Sequence, residues 1–220
     1  MTPILIFDLD GTLIDSALDI HAASARLLEG QGVAPLSLEV IRSFVGNGVP
    51  TLIDRIIAAT ELPGEGREHY IESFLEDYEA HATDLTVPYP GVVAALDAFL
   101  ASGYKMGVCT NKPYAPTVKI LKDLDLERFF SGVVGGDSYP QRKPDPTGLL
   151  ELGAELGTGP VLYIGDSEVD AETADRAKLP FFLFTKGYRK TPVEDLIVRE
   201  SFSDFSKLPH SVEELLEKSA

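Results

Sequence analysis

The chain has 220 residues, of which 44% are hydrophobic and 25% charged, and its net charge is −16. That is enough chain for one well-filled core, or a core with a small satellite. No apolar run approaches the roughly 20 residues of a membrane-spanning helix, and so strong a negative charge argues against nucleic-acid backbones, which need basic patches.

In chain order, Ile4-Leu5-Ile6-Phe7 predicts a buried central strand. Asp8-Leu9-Asp10-Gly11 follows it. Strand alternation puts Asp8 and Asp10 on one side and Leu9 in the core, and Gly11 permits a sharp turn. Asp15 or Ser16 can cap a helix with Leu18, Ala22, Ala25 and Leu28 at helical spacing, ended by Gly30 and Gly32. Ser37 opens a second helix to about Phe44, and Gly46-Asn47-Gly48 breaks it. Residues 49–60 and 65–82 read as two further helices, with no strand pattern from 16 to 82.

Pro88-Tyr89-Pro90-Gly91 reads as a return linker into a helix over 91–102. Strands and helices then alternate. Strands are predicted at 105–110, 132–135, 161–164 and 181–184. Helices are predicted at 114–124, 147–156 and 168–177, with a last one from Val212. This alternation predicts an α/β fold: a Rossmann-like parallel sheet covered on both faces, formed by residues 1–15 and 83–220. Residues 16–82 form a small all-helical domain inserted after the first strand, and a cleft between the two is the natural binding place.

Several strands end on polar residues. Thr110-Asn111-Lys112 closes one, Gly165-Asp166-Ser167 another, with Asp170 beyond it and Lys143 between them in the chain. Adjacent parallel strands would gather these at one edge, where ligands of open α/β sheets bind. Each residue type suits phosphoryl transfer. Asp8 can attack phosphorus and form an aspartyl-phosphate. Asp10 can protonate the leaving oxygen and then activate water. Mg²⁺ would be held by Asp8, Asp166 and the Asp10 carbonyl, supported by Asp170. The Thr110 hydroxyl, backbone N–H groups around Asn111, and Lys143 would hold the phosphate. Every piece also has a plainer reading. Asp-Gly is a common turn, Ser167-x-x-Asp170 is a helix capping box, and Thr110 and Lys143 taken singly are a strand end and a surface lysine.

Taken together, Asp8-Leu9-Asp10-Gly11-Thr12, Thr110, Lys143 and Gly165-Asp166-Ser167-x-x-Asp170 resemble, in order, the four motifs of the haloacid dehalogenase superfamily. The resemblance implies Mg²⁺, a phosphoaspartate intermediate and a helical cap. Asp10 points to a phosphatase or phosphomutase, because members that break carbon–halogen or carbon–phosphorus bonds lack that second acid. Phe44-Val45-Gly46-Asn47-Gly48, Thr110-Asn111-Lys112-Pro113 and Gly135-Gly136-Asp137 resemble the branch that hydrolyses 2-phosphoglycolate. In a closed cap, Gly46 and Gly48 would let backbone approach the substrate, and Asn47 would hydrogen-bond it. Arg42 and Arg55 stay open between meeting a substrate carboxylate and being surface charges.

The expected partner is a small phosphorylated metabolite, with no nucleic acid or membrane partner, and the chain is expected to be a monomer or homodimer. The single cysteine, Cys109, allows no intramolecular disulfide. No basic region precedes the first apolar run, so no secretory signal is expected, and a cytoplasmic location fits. Two rivals to a phosphatase remain: a phosphomutase of small sugar phosphates, and a phospho-accepting signalling module without turnover.

Overall fold

The computed structural model describes residues 2–217; residues 1 and 218–220 of the expected core unit lie outside these. Strand β1 (Ile4–Phe7) is followed by a two-residue strand, β2 (Ile14–Asp15). Four helices come next: α1 (Ala17–Gly30), α2 (Leu38–Phe44), α3 (Val49–Ala59) and α4 (Arg67–His81). The chain returns through β3 (Val87–Pro88) into α5 (Val92–Ala101), β4 (Lys105–Cys109), α6 (Tyr114–Asp123) and β5 (Gly132–Val134). It finishes with α7 (Thr147–Leu156), β6 (Val161–Gly165), α8 (Glu168–Ala177), β7 (Phe181–Phe184), β8 (Glu200–Phe202) and α9 (Leu208–Glu217).

Six strands form one sheet in the order β5-β4-β1-β6-β7-β8, every pair parallel. β1 lies between β4 and β6, and all four of its residues are buried. Its side chains alternate as a two-faced strand requires. Leu5 and Phe7 join a cluster with Leu96 and Phe99 of α5 and Val212 of α9. Ile4 and Ile6 join Leu149 and Leu152 of α7 and Ala171 of α8 on the opposite face. Each such side chain contributes about 1.5–3 kcal/mol on burial.

The helices between β2 and β3 pack on one another, α1 against α2 and α4, and α3 against α2 and α4. Their apolar faces, through Ile41, Ile53 and Phe74, are continuous with the α5 side of the sheet's core.

Several local expectations shift. α1 has the predicted period but a different phase: Ala17, Ile20, Ala23, Leu27 and Leu28 are buried and Leu18 is 44% exposed. Ile20 belongs to the true stripe, and the spacing of Leu18, Ala22 and Ala25 fits the neighbouring one equally well. The predicted linker carries a two-stranded antiparallel ribbon, β2 with β3 (Ile14 opposite Pro88), too short for any periodicity to show. β8 has no apolar run to announce it. α9 begins four residues before Val212, and the fourth predicted helix, 65–82, starts within a 3₁₀ turn over Gly64–Gly66 and becomes α-helical at Arg67.

Ser16 precedes α1, yet its side chain does not cap the helix. The hydroxyl of Tyr188 accepts from the Ser16 and Ala17 backbone N–H groups instead (2.8 and 3.0 Å). Ser37 does cap α2, accepting from the Val40 N–H.

Asp19, 2% exposed in the first turn of α1, ties the four-helix segment to its return path. Its carboxylate accepts from the backbone N–H groups of Leu85 and Thr86 and from the Thr86 hydroxyl (2.7–3.1 Å). Hydrogen bonds to a charged group contribute more than neutral ones, and orphaned buried donors are costly. Asp19→Ala should therefore destabilise the chain by about 3 kcal/mol, read as a lower urea midpoint at unchanged slope. An unmoved midpoint would show that the return path is held elsewhere.

Candidate active site

The sheet order decides which chain ends meet. Asp8 leaves β1, its N–H donating to the Ile164 carbonyl of β6 (2.8 Å). On one side β4 delivers Thr110, Asn111 and Lys112, and the Thr110 N–H is held by the Val134 carbonyl of β5 (2.9 Å). On the other side β6 delivers Asp166, and the first turn of α8 delivers Asp170. Lys143 arrives from the connection between β5 and α7. The strand itself stops at Phe7, and Asp10 is placed by a turn in which Leu13 and Ile14 donate to the Leu9 carbonyl. Leu9 is fully buried as expected, while Asp8 and Asp10 line the same cavity.

The Lys143 ammonium lies at the centre of the acids. It donates to Asp170 Oδ1 at 2.7 Å and to the Tyr163 hydroxyl at 2.8 Å. It also lies 2.9 Å from Asp8 Oδ1. That last contact is an ion pair without hydrogen-bond alignment, so Asp8 Oδ1 is buried with no hydrogen-bond donor among the described residues. Asp170 Oδ2 accepts from the Ser167 hydroxyl at 2.6 Å and from the N–H groups of Asp166 and Ser167. The capping box and the site residue are thus the same side chain. Asp166 takes the Thr12 hydroxyl on one oxygen (2.8 Å) and the Tyr188 N–H on the other (2.6 Å). A Cβ at Gly187 would collide with Asp166 and with the Gly11 carbonyl.

Asp10 stands apart from this cluster. Its two carboxylate oxygens are 2.9 and 3.0 Å from Lys112 Nζ, and Ser16 donates to one of them at 2.5 Å. Lys112 in turn donates to the Tyr78 hydroxyl of α4 (2.8 Å).

A cavity of about 50 Å³ lies between the strand ends and the helical segment. Asp8, Asp10, Thr110, Asn111 and Lys112 form its polar side. Gly46, Gly48 and apolar residues of α3 and α4 such as Leu52 and Phe74 form the other. Asn111 crosses between them, its side-chain N–H₂ donating to the Gly46 and Lys143 carbonyls (3.0 and 3.1 Å). Asn47 does not line this cavity; its side-chain oxygen accepts from Arg55, which also holds the Phe44 carbonyl. Arg42 is likewise outside it, stacked over the Tyr188 ring.

Burial and crowding set the charges. Burial pushes the Asp8 carboxyl up to about 7, against the opposing pull of Lys143. Burial, then the charges of Asp170 and Asp8, raise Asp166 well above the usual carboxylate range. Asp170 is also buried, but the charge and hydrogen bonds of Lys143 outweigh that and hold it below its ordinary value. Lys143 is raised because Asp170 and Asp8 overcome its own burial. The ammonium is thus committed to Asp170, and Asp8 and Asp166 remain in negative excess. Carboxylate oxygens of Asp8, Asp166 and Asp170 lie within 4.8 Å of one another. An all-oxygen, acid-rich group with more carboxylates than the one ammonium beside it suits a hard divalent cation, which takes one or two carboxylates and keeps several waters. The Asp10 carboxylate, turned to Lys112, is not part of that group.

A parallel sheet with this edge defines a class. The haloacid dehalogenase-like hydrolase family matches residues 5–184, and the chain belongs to that family. More particularly, it is 48% identical to a phosphoglycolate phosphatase of Cereibacter sphaeroides (strain ATCC 17025 / ATH 2.4.3), across 97% of this chain and 99% of the relative. It is 45% identical to a phosphoglycolate phosphatase of Rhodobacter capsulatus, over 97% and 98%. A solved structure described as a predicted phosphoglycolate phosphatase from Haemophilus somnus 129PT superposes with a TM-score of 0.89, at 28% identity, covering 96% of this chain and 98% of that one.

Sequence reasoning missed the supports of the site. Thr12 belongs to the Asp8–Thr12 motif, but nothing in the sequence marks Tyr163, Tyr188 or Gly187 as neighbours of the acids. The signal for Lys112 is its position, an ammonium two residues beyond Thr110 in the same motif.

Two outcomes follow from the charge balance. The folded chain holds a proton on Asp8 up to about pH 7, whereas the unfolded carboxyl releases it near its ordinary value of 3.8. The folded state binds the extra proton in that window, so metal-free stability falls as pH rises from about 4 to about 7. A divalent ion must displace the proton, so its stabilisation grows over the same window. At about 100 times its Kd, Mg²⁺ adds about 2.7 kcal/mol, roughly 5–10 °C in Tm for a chain this size. Calorimetry with EDTA or Mg²⁺ at pH 5 and pH 8 reads both, and equal Mg²⁺ shifts at the two pH values would contradict the assignment. Gly187→Ala should weaken Mg²⁺ binding at least about tenfold, as disturbing the support of a metal ligand does; titration calorimetry measures it.

Proposed function

We propose that this protein is a Mg²⁺-dependent phosphomonoesterase that hydrolyses 2-phosphoglycolate to glycolate and phosphate through a phosphorylated Asp8. The observation that carries it is the cluster at the end of β1: a buried carboxylate ion-paired to Lys143 and grouped with Asp166 and Asp170, facing a cavity with Thr110, Asn111 and Asp10. The names and near full-length similarity of the relatives supply the substrate.

The chemistry divides among this chain's residues. An Asp8 oxygen attacks phosphorus, and the bond to the leaving oxygen breaks. Asp10, protonated for this step, gives its proton to that oxygen, and glycolate leaves. Asp10, now a carboxylate, takes a proton from water as the water attacks the aspartyl-phosphate, releasing phosphate and restoring Asp8. Such acid–base help contributes typically about 10²–10⁴-fold. Thr110 and the backbone around Asn111 offer donors to the phosphoryl oxygens, while Lys143, fixed by Asp170 and Tyr163, keeps a positive charge beside Asp8. Mg²⁺ held by Asp8 and Asp166, with Asp170 behind them, would supply the charge that keeps Asp8 ionised and offsets the phosphate oxygens. Residues 16–82 act as a cap over residues 1–15 and 83–220, with Gly46 and Gly48 against the substrate and the Asn47 side chain bracing the loop through Arg55.

The cavity weighs against the phosphomutase reading. Its wall on the helical side is largely apolar, through Val45, Val49, Leu52 and Phe74. A hexose would leave several hydroxyls there without partners, which is costly when buried. A two-carbon acid presents none. Membership of a hydrolase family leaves the signalling-module reading without support.

The direct test is phosphate release from 2-phosphoglycolate, abolished by EDTA and restored by Mg²⁺. Asp8→Asn should release no phosphate, and Asp10→Asn should lower kcat about 10²–10⁴-fold. Full activity in Asp8→Asn, or metal-independent turnover, would overturn the mechanism.

A further inference from the structure

Lys112 is the one cationic side chain among the described residues that lines the cavity. Its side chain is only 5% exposed. It spans the gap between the strand ends and the helical segment, with its ammonium on both oxygens of Asp10 and on the hydroxyl of Tyr78, 4.5 Å from the centroid of that ring. Lys143 is already committed to Asp170, Tyr163 and Asp8 and does not face this space. Arg42 and Arg55 do not line it either.

A ligand whose phosphoryl group meets Asp8 must put the rest of itself in the space between Lys112 and the apolar wall. A carboxylate driven there loses water and needs a charged partner, or its burial is prohibitive. We propose that Lys112 is the specificity-determining residue that receives the substrate's carboxylate, exchanging part of its contact with Asp10 and Tyr78 for the incoming oxygens. A lysine suits this exchange: three donors on a flexible stem can turn from one acceptor to another without moving the backbone. The same exchange frees Asp10 from its ion pair when a leaving oxygen lies within its reach. The assignment rests on the reading of 2-phosphoglycolate as substrate.

The test is a cycle between protein and substrate. Phosphate release is measured from 2-phosphoglycolate and from its uncharged amide, with wild-type enzyme and with Lys112→Gln. Glutamine keeps a donor for Asp10 while removing the charge. The wild type should prefer the acid over the amide by about 10–150-fold in kcat/KM, the range of a charge-assisted hydrogen bond. Lys112→Gln should bring that ratio near one, mostly through KM for the acid. A ratio unchanged in Lys112→Gln overturns the proposal and leaves Lys112 as a counter-ion for Asp10 alone. Should the glutamine variant not fold, Lys112→Arg decides: it keeps the charge, so it should keep a preference for the acid, and an arginine variant without one overturns the proposal. Failure of the underlying functional reading looks different. The wild type would then hydrolyse ethyl phosphate as readily as 2-phosphoglycolate, a result that overturns both.

Discussion

The ammonium of Lys143 between Asp8 and Asp170 is the contact on which the site depends. Three acids, Asp8, Asp166 and Asp170, meet where two strands end and a helix begins, all of them buried. Like charges so placed repel strongly at low dielectric. One ammonium cannot balance three carboxylates. It settles on Asp170, whose other oxygen is filled by the capping interactions of α8, and this leaves Asp8 and Asp166 wanting either protons or a cation. A site neutralised by protein alone would have no use for a metal ion, whereas the charge missing here has the sign that a divalent cation could supply.

The supports of these acids are shared with the joint to the helical segment. Tyr188 donates its backbone N–H to Asp166, and its hydroxyl caps the first turn of α1 and meets Asp15 (2.7 Å). Ser16, at the same helix start, sends its hydroxyl to Asp10 instead of to its own helix. Asn111 holds the carbonyl of Gly46 on one side and that of Lys143 on the other. The segment carrying α1–α4 is therefore fastened, among other places, to residues adjoining Asp10 and Asp166.

The parts of the molecule written in local sequence were legible. The run Ile4–Phe7 is long enough to be buried and too short to be anything but a strand. Ser167 and Asp170 announce both a helix start and a site. Asp8, Thr110, Lys143, Asp166 and Asp170 converge because each follows a strand in a parallel order that alternation implies. What was not legible is long-range. Leu18 fits a helical stripe as well as Ile20 does, and only packing against α2 and α4 chooses between them. The β2–β3 ribbon is a pairing of residues more than 70 positions apart, and two residues carry no period. Tyr188 as a cap, and Gly187 pressed against Asp166, are contacts between segments with no common motif. Asn47 reads as a substrate donor because its neighbours are glycines; what its sequence does not show is that its side-chain oxygen accepts from Arg55, in the second turn of α3.

The two sides of the cavity also explain how a chain with a net charge of −16 can accept a multiply charged anion. Over long distances the protein repels such a ligand, but salt screens that repulsion within about 8 Å at physiological ionic strength. What decides binding is the local field, and the local field is shaped by exclusion of water. Leu52, Phe74 and the other apolar residues of α3 and α4 offer no hydrogen bonds. They make the space poor in water, so that fixed charges opposite them act at short range with little screening. The same wall penalises any polar group that arrives without a partner on the charged side. Affinity and selectivity then have one origin: the few donors and the one ammonium that follow β4 count heavily because the helical segment contributes almost none of its own.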